Sequence, residues 1–341
     1  MKSKNILIRT DGSNTSGLGH VSRCLTLANY LKEKGITSTF ITSKQEVCNI
    51  ITGNNFNCIV LDKNNKISHL KEISLSVNSN TIVVDTDYKR VFPSRESYFK
   101  YIKDLRSEKY FIISFEDAIS ADVSSNVVVV PYLGANKINV INTGSKHFFG
   151  EKYFLLRSEF LYTANFNVRR KIKKILITMG GSDPEKITLK AIKSICDTNL
   201  KVKITVLIGS FSKITRRDIF AMSNGNINIL HNTNSISKLM LDCDIAITNS
   251  GLTKYELSAL GVPYIVISDN NYQENIMSYF ARKCICVHAG MVSSLTAYKL
   301  SKEIIELSIN HAKRVRLSTN GRRLIDGHGA DRLYSQIFVN N

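Results

Sequence analysis

Short apolar runs rich in Val and Ile alternate with amphipathic segments along the whole chain, and this alternation limits the folds open to it. Residues 5–10, 38–42, 58–61, 81–85, 110–114 and 127–130 read as strands. A helix is expected over 21–34, with Leu25, Leu27, Ala28 and Leu31 near one stripe and Gly35 as its stop. A second series follows, with strands at 174–179, 202–208, 227–230, 245–248 and 264–267. A helix at 184–196 carries Pro184 in its first turn and Asp183 as N-cap. β-branched runs without polar alternation suit parallel strands buried on both faces. Two strand–helix series therefore predict two doubly wound parallel-sheet, Rossmann-like α/β domains. With 341 residues, each domain can bury its own core. The basic run Arg169-Arg170-Lys171-Ile172-Lys173-Lys174 reads as a solvated linker, which sets the domains at 1–168 and 169–341, with the last helix expected to pack back on the first domain. In such sheets ligands bind beyond the carboxyl ends of the strands, so the strand-to-helix loops of two domains facing across a cleft are where function is expected.

The remaining composition narrows the classes. Lys and Arg number 46 against 28 Asp and Glu, a net charge of +18. That balance suits an anionic partner, whether nucleic acid, an acidic membrane face or a phosphorylated small molecule, or simply a scattered basic surface. No helix-turn-helix, zinc-finger or aromatic RNA-binding signature accompanies the charge, so nucleic acid is not the expected partner. The seven cysteines form no Cys-x-x-Cys pair. Cys284 and Cys286 are expected on one strand face as buried free thiols rather than zinc ligands. No apolar stretch reaches the roughly 18 residues that span a bilayer, and the N-terminus lacks a signal-peptide core, so a soluble cytoplasmic protein is expected. A basic face still suits peripheral contact with an anionic membrane.

Three loops hold the unusual residues. The first runs from Arg9-Thr10-Asp11 through Gly12, Gly17 and Gly19 to His20. It is neither a P-loop nor a dinucleotide fingerprint, because no Lys follows Gly17 and no third glycine follows Gly19. A glycine-rich loop entering a helix N-terminus is still an anion site. A histidine in the first turn of a helix is favoured in its neutral, proton-accepting form. Arg23 stands three residues on, placed for a ligand anion or for a nearby carboxylate. The second loop is Gly180-Gly181-Ser182-Asp183. The third is Asn249-Ser250-Gly251-Leu252-Thr253, with Glu256 one turn later to accept ribose hydroxyls. Asp269-Asn270-Asn271-Tyr272-Gln273-Glu274-Asn275 reads as a polar, amide-rich loop.

These motifs resemble a known family. Arg9 through Arg23 is similar to the N-terminal motif of the pseudaminic-acid pathway UDP-sugar hydrolases and related spore-coat polysaccharide proteins. Leu155-Leu156-Arg157-Ser158-Glu159-Phe160, Met179–Asp183 with Pro184, 249–256 and Asp326-Gly327-His328-Gly329-Ala330-Asp331-Arg332 resemble its later segments in order. The resemblance implies a GT-B fold. It implies metal- and cofactor-independent hydrolysis of a UDP-linked 2,4-diacetamido-2,4,6-trideoxy sugar, with inversion at the anomeric carbon. His20 takes the place of the base that activates water. UDP contacts fall on Gly180, Gly181, Ser182, Asn249, Ser250, Gly251, Thr253 and Glu256. Sugar-side contacts fall on Arg9, Asp11, Gly17, Gly19, Arg23, Asp85, Tyr88, Arg157, Gln273 and Asn275. The sequence departs from the family at Asp85-Thr86-Asp87-Tyr88, where Asp-His-Tyr is usual, and at 271–275, where Asn-Gln is usual. A glycosyltransferase with a sugar or lipid hydroxyl as acceptor is the rival reading. A metal-dependent transferase using Asp85-x-Asp87 is a third.

Overall fold

The computed structural model describes residues 5–12, 18–61, 67–115, 124–135, 144–161, 166–183, 185–223, 227–231, 233 and 235–339. The chain forms two compact units. One comprises Met1–Arg157 with His328–Asn341, and the other Ser158–Gly327.

The first unit holds β1 (Asn5–Thr10), α1 (Gly19–Glu33), β2 (Thr37–Thr42), α2 (Gln45–Gly53), β3 (Asn57–Val60), α3 (Ile67–Ser76) and β4 (Thr81–Asp85). It continues with α4 (Tyr88–Val91), α5 (Arg95–Ser107), β5 (Phe111–Phe115), β6 (Val127–Val130) and β7 (Lys146–Phe149). The seven strands are parallel in the order β3-β2-β1-β4-β5-β6-β7. Alternate β1 residues serve opposite faces. Ile6 and Ile8 pack with α1 and α2, whereas Leu7 packs with α3 and α5. Helices on both faces explain why the strands read as continuous apolar runs.

The second unit holds β8 (Lys174–Thr178), α6 (Ile187–Cys196), β9 (Lys203–Ile208), α7 (Arg216–Ala221), β10 (Ile227–His231), α8 (Ile236–Asp242) and β11 (Ile245–Asn249). It continues with α9 (Thr253–Leu260), β12 (Tyr264–Ser268), α10 (Asn271–Arg282), β13 (Val287–Met291), α11 (Ala297–Ile309) and α12 (His311–Leu324). Its parallel sheet has the order β10-β9-β8-β11-β12-β13. In both sheets the order reverses beside the first strand, so each has a switch point: β1/β4 in the first unit and β8/β11 in the second. A crevice opens at the carboxyl ends of such a pair.

Several local expectations change. The basic run lies inside the second unit and leads into β8. Asp244 accepts from the Lys173 and Lys174 amides at 2.6 and 2.8 Å and from Arg169 Nη1 at 2.7 Å. Buried Arg314 donates to the carbonyls of Arg169 and Arg170. The chain passes between the units ahead of this run. Cys284 and Cys286 precede β13 rather than sharing a strand face; Cys284 adopts φ +52° in the turn after α10. All seven cysteines are free thiols.

The C-terminal motif has a structural use. It forms α13 (Gly329–Tyr334), which docks on the first unit. A Cβ on Gly329 would stand 2.1 Å from the Phe154 carbonyl oxygen, so only glycine allows this approach. Arg332 donates to the Lys152 carbonyl, and the Tyr30 hydroxyl donates to Asp331 at 2.5 Å. Among the described residues, no helix is long and apolar enough to cross a membrane.

Candidate active site

The parallel register of the first sheet sets Thr10 opposite Asp85. This places the end of β4 beside the start of α1, at the switch point. His20 is the second residue of α1, and Leu18 ahead of it supplies no side-chain cap. His20 Nδ1 lies 2.6 Å from Asp85 Oδ1. Arg23 Nη2 and Nε donate to Asp85 Oδ1 and Oδ2 at 2.5 and 2.6 Å. The side chain of His20 is 12% exposed and that of Asp85 is fully buried.

Burial pushes the Asp85 carboxyl up, but the charges and hydrogen bonds of Arg23 and His20 outweigh it and hold the group at about 2. An ionised Asp85 can only accept. The His20 proton therefore resides on Nδ1, and Nε2 is the ring atom whose lone pair accepts a proton. That is the geometry of a general base held by a carboxylate. Both Asp85 oxygens are engaged by α1. Among the described residues, no group of three or more His, Cys, Asp or Glu is placed to hold a metal ion.

The other first-unit candidates are placed differently. Arg9 and Asp11 are buried and committed to each other, with Arg9 Nε donating to Asp11 Oδ2 at 3.0 Å. Asp11 Oδ1 also accepts from the Thr42 hydroxyl and from the amide and hydroxyl of Ser43, pinning the turn after β2. Arg23 binds a carboxylate of the protein. Tyr88 opens α4 and stacks on Tyr98, with centroids 5.8 Å apart. Gly19 begins α1, and Gly17 lies outside the described residues. Arg157 is the last residue of the first unit's long segment and is half-buried.

In the second unit, Gly180–Ser182 follow β8 and Asn249–Gly251 end β11, again at the switch point. Gly180 takes φ +70°, and a Cβ there would sit 3.6 Å from Thr253 Oγ1, so the two loops adjoin. Their helix starts differ in chemistry. Asp183 accepts from the Ile187 and Thr188 amides at 2.8 and 2.9 Å. α6 therefore begins later than expected, and its N-terminus is already satisfied by a carboxylate. Helix α9 has no side-chain cap, so of the two it is the start that offers its dipole to an anion. Asn249 Oδ1 accepts from the Gly251 amide at 3.2 Å and shapes the turn into α9. Beside it, Thr248 Oγ1 and Ser250 Oγ are buried with no partner among the described residues. Buried hydroxyls of this kind are usually satisfied, by protein or by ordered water.

Lys254 Nζ donates to the Ser250 carbonyl and, at 2.9 Å, to the Gly251 carbonyl, holding the loop from within. Glu256 is buried in the first turn of α9. The amide-rich segment is not a loop: Asn270 caps α10 by accepting from the Gln273 amide at 3.0 Å. Gln273 Oε1 is buried without a partner among the described residues, and Asn275 is exposed. Glu159 closes the start of α8 by accepting from the Ser237 amide.

Sequence reasoning passed over Gly209. A Cβ there would stand 2.1 Å from the Gly180 carbonyl and 2.6 Å from that of Gly181. The signal was its position one residue beyond β9, at the same edge of the sheet as the other loops. Gly209→Ala is expected to displace the Gly180–Gly181 turn and cost about 1–3 kcal/mol, which thermal melts of the variant against wild type check.

Comparison with known proteins agrees with this architecture. The Acinetobacter baumannii MurG structure superposes with a TM-score of 0.67 at 15% identity, covering 98% of each chain. The spinosyn forosaminyltransferase SpnP gives 0.69 at 10%, covering 98% and 99%. The chain has the GT-B fold. The family model for lipid-A-disaccharide synthetase matches residues 171–323. An uncharacterised protein of Methanocaldococcus jannaschii is 28% identical over 90% of this chain, which spans 64% of that relative's length. The Bacillus subtilis spore coat polysaccharide biosynthesis protein SpsG is 23% identical, over 96% of this chain and 95% of its own. A Helicobacter pylori protein is named pseudaminic acid cytidylyltransferase and UDP-2,4-diacetamido-2,4,6-trideoxy-beta-L-altropyranose hydrolase. It is 24% identical over 74% of this chain, which spans 42% of its length.

Proposed function

We propose that this protein is a nucleotide-sugar enzyme that hydrolyses a UDP-linked acetamido-deoxy sugar at the anomeric carbon. The observation that carries the reading is the His20–Asp85 pair at the first sheet's switch point. The similarity to the Bacillus and Helicobacter proteins supports the substrate class. In the reaction, a water oxygen attacks the anomeric carbon while its proton passes to His20 Nε2. The bond from that carbon to the β-phosphate oxygen breaks, and its electron pair leaves with UDP. The amides at the start of α9 meet the negative charge of the leaving group. Glu256 accepts the ribose hydroxyls, and Gln273 and Asn275 serve the sugar end. The products are UDP and a free sugar with inverted configuration, suited to nonulosonic acid synthesis.

A second reading keeps the fold and base but replaces water with a sugar or lipid hydroxyl. The glycosyltransferase fold neighbours and the +18 charge favour it. Incubating the protein with a panel of UDP-acetamido sugars separates the two. Stoichiometric UDP and free sugar without acceptor are expected. UDP release that requires an added acceptor would establish the transferase.

A further inference from the structure

Three residues of one helix face converge on one carboxylate. His20, Arg23 and Cys24 stand at i, i+3 and i+4 of α1, and all reach Asp85. Besides His20 and the two Arg23 contacts, Cys24 Sγ lies 3.5 Å from Asp85 Oδ2. A buried carboxylate beside an imidazole, acting alone, favours the imidazolium. A histidine held in that form at neutral pH cannot take a proton from water. Arg23 opposes this tendency twice over: it is bidentate on Asp85, and its Nη2 lies 3.3 Å from His20 Nδ1.

We propose that Arg23 is a positioning residue that cancels the charge of Asp85, so that Asp85 orients His20 without holding it protonated at neutral pH. The inference rests on His20 being the base. The guanidinium is itself fixed. It lies 5.3 Å from the Phe115 ring centroid and 5.5 Å from that of Tyr132, and its Nη1 donates to the Tyr132 hydroxyl. Phe115 ends β5 and Tyr132 follows β6, so the two strands beyond β4 hold the cation in place. Arg23 is only 3% exposed, so water screens these charges weakly.

The titratable groups around the pair are few among the described residues. α1 contributes Arg23 and Cys24, β4 contributes Asp85, and the segment after β6 contributes Tyr132. Burial and the charge of Asp85 push the Cys24 thiol up, so it stays neutral. The Arg9–Asp11 pair on β1 is turned to the end of β2. Among the described residues, Arg23 is the cation that bonds both Asp85 oxygens.

The test is an NMR titration of the His20 imidazole without substrate, assigned by its loss in His20→Asn. In Arg23→Gln the midpoint is expected to rise by about one pH unit or more, and the acidic limb of the kcat/KM profile to move with it. Activity should recover toward higher pH. Arg23→Lys keeps the charge but cannot donate two parallel bonds, so it should hold the midpoint and lower kcat. The double variant Asp85→Asn/Arg23→Gln removes both charges and leaves no lone buried ion. Its midpoint should return close to wild type, which keeps the test open if Arg23→Gln does not fold. A folded Arg23→Gln protein with an unmoved midpoint, or a double variant displaced as far as Arg23→Gln is expected to be, would overturn the proposal. Because the midpoint is read without substrate, this outcome is separate from failure of the hydrolase reading.

Discussion

His20→Asn is expected to lower UDP-sugar turnover by about 10²–10⁴-fold, the usual contribution of a positioned general base, while UDP affinity should stay near wild type. The asymmetry follows from the fold. His20 belongs to the first unit, whereas the loops assigned to UDP belong to the second. Steady-state kinetics paired with UDP titration calorimetry measures both arms. Near wild-type turnover would remove His20 from the chemistry. A parallel loss of UDP affinity would make it a binding residue.

Asp85 carries the second large effect, and it spans activity and stability. Asp85→Ala takes from buried Arg23 the carboxylate that it bonds twice, which is expected to cost about 3–5 kcal/mol. Asp85→Asn preserves volume but presents a side-chain amide to His20 in place of an acceptor-only carboxylate. The favoured tautomer is lost, and kcat falls by about 10³–10⁴-fold with a smaller loss of stability. The wild-type protein should show the linked pH dependence. The folded pKa of Asp85, about 2, lies below its ordinary value of 3.8. Its contribution is thus complete above about pH 4 and is lost as pH falls through 2, amounting to about 2 kcal/mol. Denaturant melts across that range should lose this increment in the wild type and not in Asp85→Asn.

Part of this was legible in the chain. Val- and Ile-rich runs between amphipathic segments fixed two parallel sheets, because only strands covered on both faces can be apolar throughout. His20 stood out because its place in the first turn of α1 is a local property. Its partner could be narrowed in the sequence to Asp11 or Asp85, and the β1/β4 register decides for Asp85. For Arg23 a ligand anion and a protein carboxylate were both open, and the fold decides for the carboxylate, Asp85. The loop at Gly180 was visible as glycine-rich. Asp183 was legible as a capping residue, and it does cap α6, but at the Ile187 and Thr188 amides, later than the expected start of the helix. Gly209 carries no local mark, because the carbonyls that demand a glycine belong to another strand's loop. The C-terminal motif was recognisable only by resemblance, and its packing gives it a docking role on the first unit.

Reaction of the wild-type protein with a UDP-linked 2,4-diacetamido-2,4,6-trideoxy sugar in heavy-oxygen water tests the account most directly. Mass spectrometry should find the label in the released sugar and none in UDP, with His20→Asn giving neither product at a comparable rate. Label in UDP would place attack at phosphorus, and absence of any release without an acceptor hydroxyl would contradict water as the nucleophile.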